Sequence, residues 1–177
     1  MRPGAAGQHP RRLPHGADHR RARRRAGEQC RDLADRHARG QSDAEIASAL
    51  AATVTGTILV TKGLLPALRS SPAADIVTIV STAGWVRWDL GASTAFHAAK
   101  HAQSGFSDAL RHELGGTGIR VTALYPPDFD DVDPLGPDWG RTERSRISNR
   151  EVVDTILFAI TASRACAYPV IMMDNLR

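Results

Sequence analysis

From Ser42 onward the chain sets apolar and polar residues first in a helical and then in an extended rhythm; before Ser42 it does neither. Leu13 and Leu33 are the only large aliphatic residues between Arg2 and Gln41. Such a segment cannot bury enough apolar surface to offset the entropy of ordering it. Residues 1 to 41 are therefore expected to form a disordered, arginine-rich tail. Ser42-Asp43-Ala44-Glu45 is a capping box, in which the serine caps a helix and the glutamate reaches back to it. Ile46, Leu50 and Val54 follow at spacings of four, and Ile58, Val60, Leu64, Leu65 and Leu68 extend the stripe. The spacing predicts a helix over 42–68, bent near Gly56 and weakened at Pro66.

After the breaker Ser70-Ser71-Pro72 comes Asp75 to Val80, DIVTIV, a β-branched run that predicts a strand buried on both faces. Phe96, Ala99, Ala102, Phe106, Leu110 and Leu114 then lie on one side of a helix over 93–114, which stops at Gly115-Gly116. Gly118 to Tyr125, GIRVTALY, predicts the next strand, closed by Pro126-Pro127. Asp128 to Ile147 is rich in Pro, Asp and Gly and predicts a long surface loop. A second capping box, Ser148-Asn149-Arg150-Glu151, launches a helix carrying Val152, Val153, Ile156, Leu157 and Ile160. Cys166 to Met173 predicts a last strand, at an edge because Pro169 cannot donate to a ladder. Helices alternating with strands imply an α/β fold, with a parallel sheet of about three strands and helices on both faces.

Composition narrows the class. The 177 residues suit one domain with a tail, and 42% hydrophobic against 24% charged residues is a globular balance. No stretch reads as the roughly 20 apolar residues of a membrane span. Cys30 and Cys166 are the only cysteines and make neither a zinc spacing nor a disulfide framework, so no metal site is expected and a reducing cytoplasm is. The net charge of +4 resides in the tail, where eleven Arg face only Asp18, Glu28, Asp32 and Asp35. The cluster Arg20 to Arg25 lacks interleaved aromatics, which disfavours a nucleic-acid partner. The missing apolar core of a signal peptide excludes that reading of the tail.

In a parallel sheet, ligands bind beyond the carboxyl ends of the strands. Ser81-Thr82-Ala83-Gly84, Tyr125-Pro126-Pro127-Asp128 and the early turns of the helix bearing Lys100 all fall there. From Ser42 to Asp174 the chain resembles the carboxyl-terminal half of a short-chain dehydrogenase/reductase. The resemblance rests on Ile79-Val80-Ser81-Thr82-Ala83-Gly84, then Phe96-His97-Ala98-Ala99-Lys100, then Tyr125-Pro126-Pro127. Aromatic-x-x-x-Lys alone is weak; three motifs in order, at the right strand and helix ends, are specific. Val54-Thr55-Gly56-Thr57 and Val170 to Asp174 extend it.

The resemblance implies a partial Rossmann-like sheet, and NAD- or NADP-dependent oxidation or reduction of a carbonyl or hydroxyl group on a small molecule. It implies that a serine hydrogen-bonds the substrate oxygen, a tyrosine transfers the proton, and a lysine lowers that tyrosine's pKa and holds the nicotinamide ribose. Ser81 and Lys100 fill their places. Phe96 stands in the tyrosine's and has no proton to give. Pro126 and Pro127 stand where the family places Pro-Gly beside the nicotinamide, and Thr53 where it places an asparagine. His97 and His101 lie about 100° and more around the helix from Phe96 and are expected to be half-exposed helix residues. No glycine-rich phosphate turn follows a strand, so nucleotide binding is expected to be weak or absent, and the chain to be a truncated, impaired relative. The alternative is a noncatalytic protein that pairs with itself or with an intact relative through helices 42–68 and 93–114. Asp128, Asp130, Asp131 and Asp133 in the long loop disfavour an anionic substrate.

Overall fold

The computed structural model describes residues 40–85, 93–141 and 146–175; all of the expected tail but Gly40 and Gln41 lies outside them. The first capping box forms as the sequence predicts. Ser42 Oγ accepts from the Glu45 amide at 3.3 Å, and the Glu45 carboxylate accepts from the Ser42 amide at 2.7 Å. Helix α1 (Asp43–Leu50) follows, Ala51–Thr55 winds as a π-helical turn, and α2 (Gly56–Ser70) resumes the α-helical ladder. The predicted bend is this wide turn, where a bond spanning five residues replaces one spanning four. Pro66 lies inside α2 without ending it.

One expectation is corrected here. Asp43–Ser70 runs for 28 residues and is by length and composition able to cross a membrane. Ala, Thr and Gly between the larger aliphatics keep the stretch apolar, and Lys62 is the only charge between Glu45 and Arg69.

The sheet is parallel, in the order β1 (Asp75–Ile79), β2 (Arg120–Tyr125), β5 (Val170–Met172). Every residue of the central β2 is buried. Its alternation sends Val121 against Leu110 and Leu114 of α3 (Thr94–Glu113) and Leu65 of α2. Ala123 and Tyr125, on that same face, pack with Val80 and Met172. Arg120 points the other way and bonds the carbonyl end of α4 (Asn149–Thr161), so helices flank both faces.

Strand β1 is not buried on both faces as its composition predicts. Only Thr78 within it is buried and Ile79 is 44% exposed, because among the described residues β1 has a neighbour on one side only. The last strand shrinks to Val170–Met172. It is an edge as Pro169 requires, and the Pro169 carbonyl accepts from the Ala123 amide at 2.9 Å.

The long loop also carries more structure than its composition suggests. β3 (Phe129–Asp130) pairs in parallel with β4 (Ile147–Ser148), the Asn149 side-chain Nδ2 donates to the Val132 carbonyl at 2.6 Å, and Arg150 lies 5.6 Å from the Trp139 ring. The second capping box forms at α4. A hydrogen bond from the Ser148 side chain holds the Glu151 carboxyl below the usual glutamate range.

At the amino end of the sheet, Arg120 and Asp75 are register partners. Arg120 Nε donates to Asp75 at 2.7 Å, and the remaining guanidinium nitrogens donate to the carbonyls of Ile160, Ala162, Ser163 and Cys166 at 3.0 to 3.2 Å. Arg164 completes the group with Asp75 at 2.9 Å and the Gly118 carbonyl at 2.6 Å. The Asp75 hydrogen bond raises the Arg120 pKa above the usual arginine value, so the guanidinium stays charged. Removing one partner from a buried pair of this kind costs about 3–5 kcal/mol. Urea denaturation of Arg120→Leu is expected to show that loss; a change under about 1 kcal/mol, the size of a surface pair, would contradict it.

Candidate active site

The ends of β1 and β2 are drawn together beyond their ladder. The Val80 amide donates to the Leu124 carbonyl at 2.7 Å, and the Thr82 amide to the Pro126 carbonyl at 3.0 Å. Ser81, caught between these two bonds, takes φ 153° and ψ 157°, a region that glycine enters freely and other residues rarely. Holding a serine there costs about 1–3 kcal/mol. Its hydroxyl accepts from the Ala83 amide at 3.2 Å and is only partly buried.

Thr82–Gly84 then forms a short 3₁₀ turn against α3. A Cβ on Gly84 would stand 2.5 Å from Val80 Cγ1 and 2.7 Å from the Lys100 carbonyl oxygen. Glycine is therefore what lets the serine-bearing turn touch the helix backbone at the lysine. Two more contacts fix that helix: Ser93 caps it by accepting from the Phe96 amide at 3.2 Å, and His97 Nδ1 donates to the Ala83 carbonyl at 3.0 Å.

Phe96 and Lys100 are adjacent on α3 as their spacing requires, with the ammonium 5.7 Å from the ring centroid. Lys100 Nζ donates to Gln103 Oε1 at 3.0 Å and approaches the Ile79 carbonyl at 3.4 Å. Gln103, 7% exposed, donates from Nε2 to the Thr53 carbonyl at 3.1 Å and to the Thr57 hydroxyl at 2.9 Å. Thr57 donates in turn to the Thr53 carbonyl at 2.6 Å. Pro126 is buried and Pro127 half-buried at the end of β2.

The predicted residues thus meet at one end of the sheet: Ser81 beside Pro126, and Lys100 beside Phe96 and the end of β1. His97 is half-buried and His101 exposed, the latter bonded to the His97 carbonyl. The His97 ring is committed to the Ser81 turn through Nδ1, while its Nε2 is buried without a partner. The long loop contributes elsewhere. A cavity of about 700 Å³ lies between β4, α4 and the end of β5, lined by Ile147, Glu151, Phe158 and Met173 and by none of the predicted residues.

The sequence reading missed Gly84 and Gln103. Gly84 ends the motif that carries Ser81. Gln103 had a weak signal: an uncharged polar residue one turn after Lys100, on the side that also carries Ala99 and Leu110. It also missed the part-buried bond between Tyr125 Oη and Ser104 Oγ at 2.7 Å, and the Trp85 ring that stands T-shaped to Tyr125 at 5.3 Å.

The family profile of short chain dehydrogenase matches residues 33–134, beginning inside the expected tail. The chain belongs to the short-chain dehydrogenase family. It is 28% identical over 108 residues to an uncharacterized oxidoreductase of Staphylococcus epidermidis, a stretch covering 61% of this chain and 45% of that protein. It is 44% identical over 73 residues to an uncharacterized oxidoreductase of Mycobacterium tuberculosis, covering 41% of this chain and 28% of that protein. The chain spans less than half the length of these curated relatives.

Among solved structures, serine dehydrogenase from Escherichia coli superposes with a TM-score of 0.64 at 21% identity, covering 80% of this chain and 58% of that one. The closed form of serine dehydrogenase complexed with NADP+ gives 0.66 at 22% identity, covering 80% and 60%. These likenesses show the Rossmann-like fold. Membership of the short-chain dehydrogenase family accounts for the order of the three motifs along the chain, and the geometry accounts for why the serine sits on a strained turn.

That strain is separable from the hydroxyl. Ser81→Gly is expected to raise stability by about 1 kcal/mol, since glycine enters this backbone region freely. Ser81→Ala removes the same hydroxyl and is expected to bring no gain. Thermal unfolding of both variants reads the difference; equal midpoints would show that Ser81 is unstrained.

Proposed function

We propose that the chain is a short-chain dehydrogenase relative that keeps the nicotinamide end of a dinucleotide site and lacks its proton donor. The observation that carries this reading is the convergence of Ser81, Lys100 and Phe96 at the carboxyl ends of β1 and β2, with the ammonium beside the Phe96 ring. The Ser81 hydroxyl can donate to a substrate carbonyl or alcohol oxygen. The Lys100 ammonium can donate to the hydroxyls of a nicotinamide ribose. Both groups fit NAD or NADP at that end.

The phosphate end does not fit. Among the described residues no glycine-rich turn between strand and helix aims backbone N–H groups at a pyrophosphate, and Pro127 removes one N–H beside the nicotinamide. Binding by the chain alone is therefore weak. Bound nicotinamide would supply or accept a hydride; the accompanying proton has no donor at Phe96. Loss of a positioned general acid typically costs about 10² to 10⁴ in rate.

A second reading is favoured by the surface of α2. Leu59 is 59% and Val60 63% exposed, and Ile58 and Leu64 continue the patch. In this reading helices 42–68 and 93–114 pair with a second copy or an intact relative, and the chain is a noncatalytic interaction protein in the cytoplasm. The part-buried contacts of Thr53 and Thr57 with Gln103 support a helix packed on protein over a membrane-spanning one. No nucleic-acid partner belongs to either reading.

Isothermal titration of the purified chain with NADPH and NADH is expected to give weak binding that Lys100→Ala abolishes, with no oxidation of NADPH across a panel of small carbonyl compounds. Ready turnover that is lost in Lys100→Ala would refute the impairment. Light scattering after size exclusion addresses the second reading. A folded dimer that binds no nucleotide supports it, and a monomer excludes self-pairing.

A further inference from the structure

We propose that Gln103 is a positioning residue that clamps the Lys100 ammonium at the end of β1, using the π-helical turn Ala51–Thr55 as its anchor. A lysine side chain is flexible and loses rotamer entropy when fixed, so an ordered ammonium needs dedicated acceptors. Here the acceptors form a chain whose direction is forced. Lys100 can only donate, and the Thr53 carbonyl at the far end can only accept. Between them Gln103 Oε1 accepts from Lys100 at 3.0 Å, while Nε2 donates to Thr57 Oγ1 at 2.9 Å and to the Thr53 carbonyl at 3.1 Å. Thr57 passes its own proton to Thr53 at 2.6 Å. A flipped amide would set two donors against each other at Lys100 and two acceptors at Thr53.

The anchor depends on backbone irregularity. Within the turn the Gly56 amide bonds the Ala51 carbonyl, five residues back, and the Thr53 carbonyl lies where side-chain donors from α2 and α3 reach it. Such turns are often found at functional sites. Gln103 is nearly inaccessible at 7%, so both ends of its amide must be bonded or it would destabilise the packing of the two helices. An uncharged amide holds the ammonium through an acceptor oxygen and adds no charge of its own beside a polyhydroxyl ligand. That last step rests on the dehydrogenase reading above; the clamp itself does not.

Lys62 and Lys100 are the only lysines in the chain, which makes the test internally referenced. Trace labelling of the full chain with acetic anhydride across a pH series, read by mass spectrometry, gives the ratio of Lys100 to Lys62 reactivity. In the wild type Lys100 is expected to react about tenfold more slowly than Lys62, a protection of the size one charge-assisted hydrogen bond supplies. Gln103→Leu is expected to bring the two to parity with the circular dichroism unchanged. Gln103→Glu keeps an acceptor oxygen and adds a charge, so it is expected to preserve the protection and move the Lys100 midpoint to higher pH. If Gln103→Leu does not fold, Thr57→Val, which removes the hydroxyl that orients the amide, is expected to give an intermediate ratio. A ratio unchanged in the folded Leu variant, or in Thr57→Val where Leu fails to fold, would overturn the clamp. Labelling in the presence of NADPH separates the two ideas. A Gln103-dependent ratio that NADPH leaves unaltered would keep the clamp and overturn its role toward the ribose.

Discussion

Asp75 and Arg120 begin two parallel strands in register, and the buried bond between them sets where both strands start and therefore where both end. The remaining donors of Arg120 take the carbonyls of the last turn of α4 and of the segment that leads to β5. One guanidinium thus joins the starts of β1 and β2 to the crossover that leads to β5. Because β1 and β2 have fixed lengths and a fixed register, the amino-end bond determines that Val80 and Leu124 meet at the other end, with Ser81 and Pro126 beyond them. The candidate site lies at the carboxyl ends, and the constraint that aligns it lies at the amino ends.

From that alignment the site follows by close approach. Gly84 lets the serine turn rest on the backbone of α3 at Lys100, and the crowding is relieved by no other residue type. Ser81 accepts an unfavourable backbone so that its neighbours on both sides keep their bonds to β2. Lys100 is drawn in by an amide anchored on the neighbouring helix. Phe96 fits this arrangement as a tyrosine ring would, since packing senses the ring and not the hydroxyl.

Much of the framework was legible in the sequence. Both capping boxes form, the glycine pair ends α3 and Pro169 marks an edge, because each depends on residues close together in the chain; the parallel pairing follows from the alternation of helices and strands. What was not legible depends on distant partners. The Arg120 hub joins positions 75, 120 and 160 to 166, and nothing local in GIRVTALY announces that its arginine is buried. The exposure of Ile79 follows from β1 having one neighbour, which its β-branched composition conceals. The pairing of β3 with β4 ties two ends of a stretch whose prolines and aspartates read as loop. The apolar length of the helix Asp43–Ser70 was hidden by its alanines and threonines, and the π-helical turn has no residue signature beyond Gly56 closing it. Gln103 went unnoticed in the sequence, since its bonds to Thr53 and Thr57 span some 50 residues.

The central claim is that the site keeps its serine, its lysine and its shape while lacking a proton donor. Phe96→Tyr restores only that donor. With millimolar NADPH and a panel of small carbonyl compounds, the rate of NADPH oxidation by Phe96→Tyr is predicted to exceed that of the wild-type chain by about 10² or more, and to fall back when Lys100→Ala is added. Equal rates for wild type and Phe96→Tyr would contradict the account.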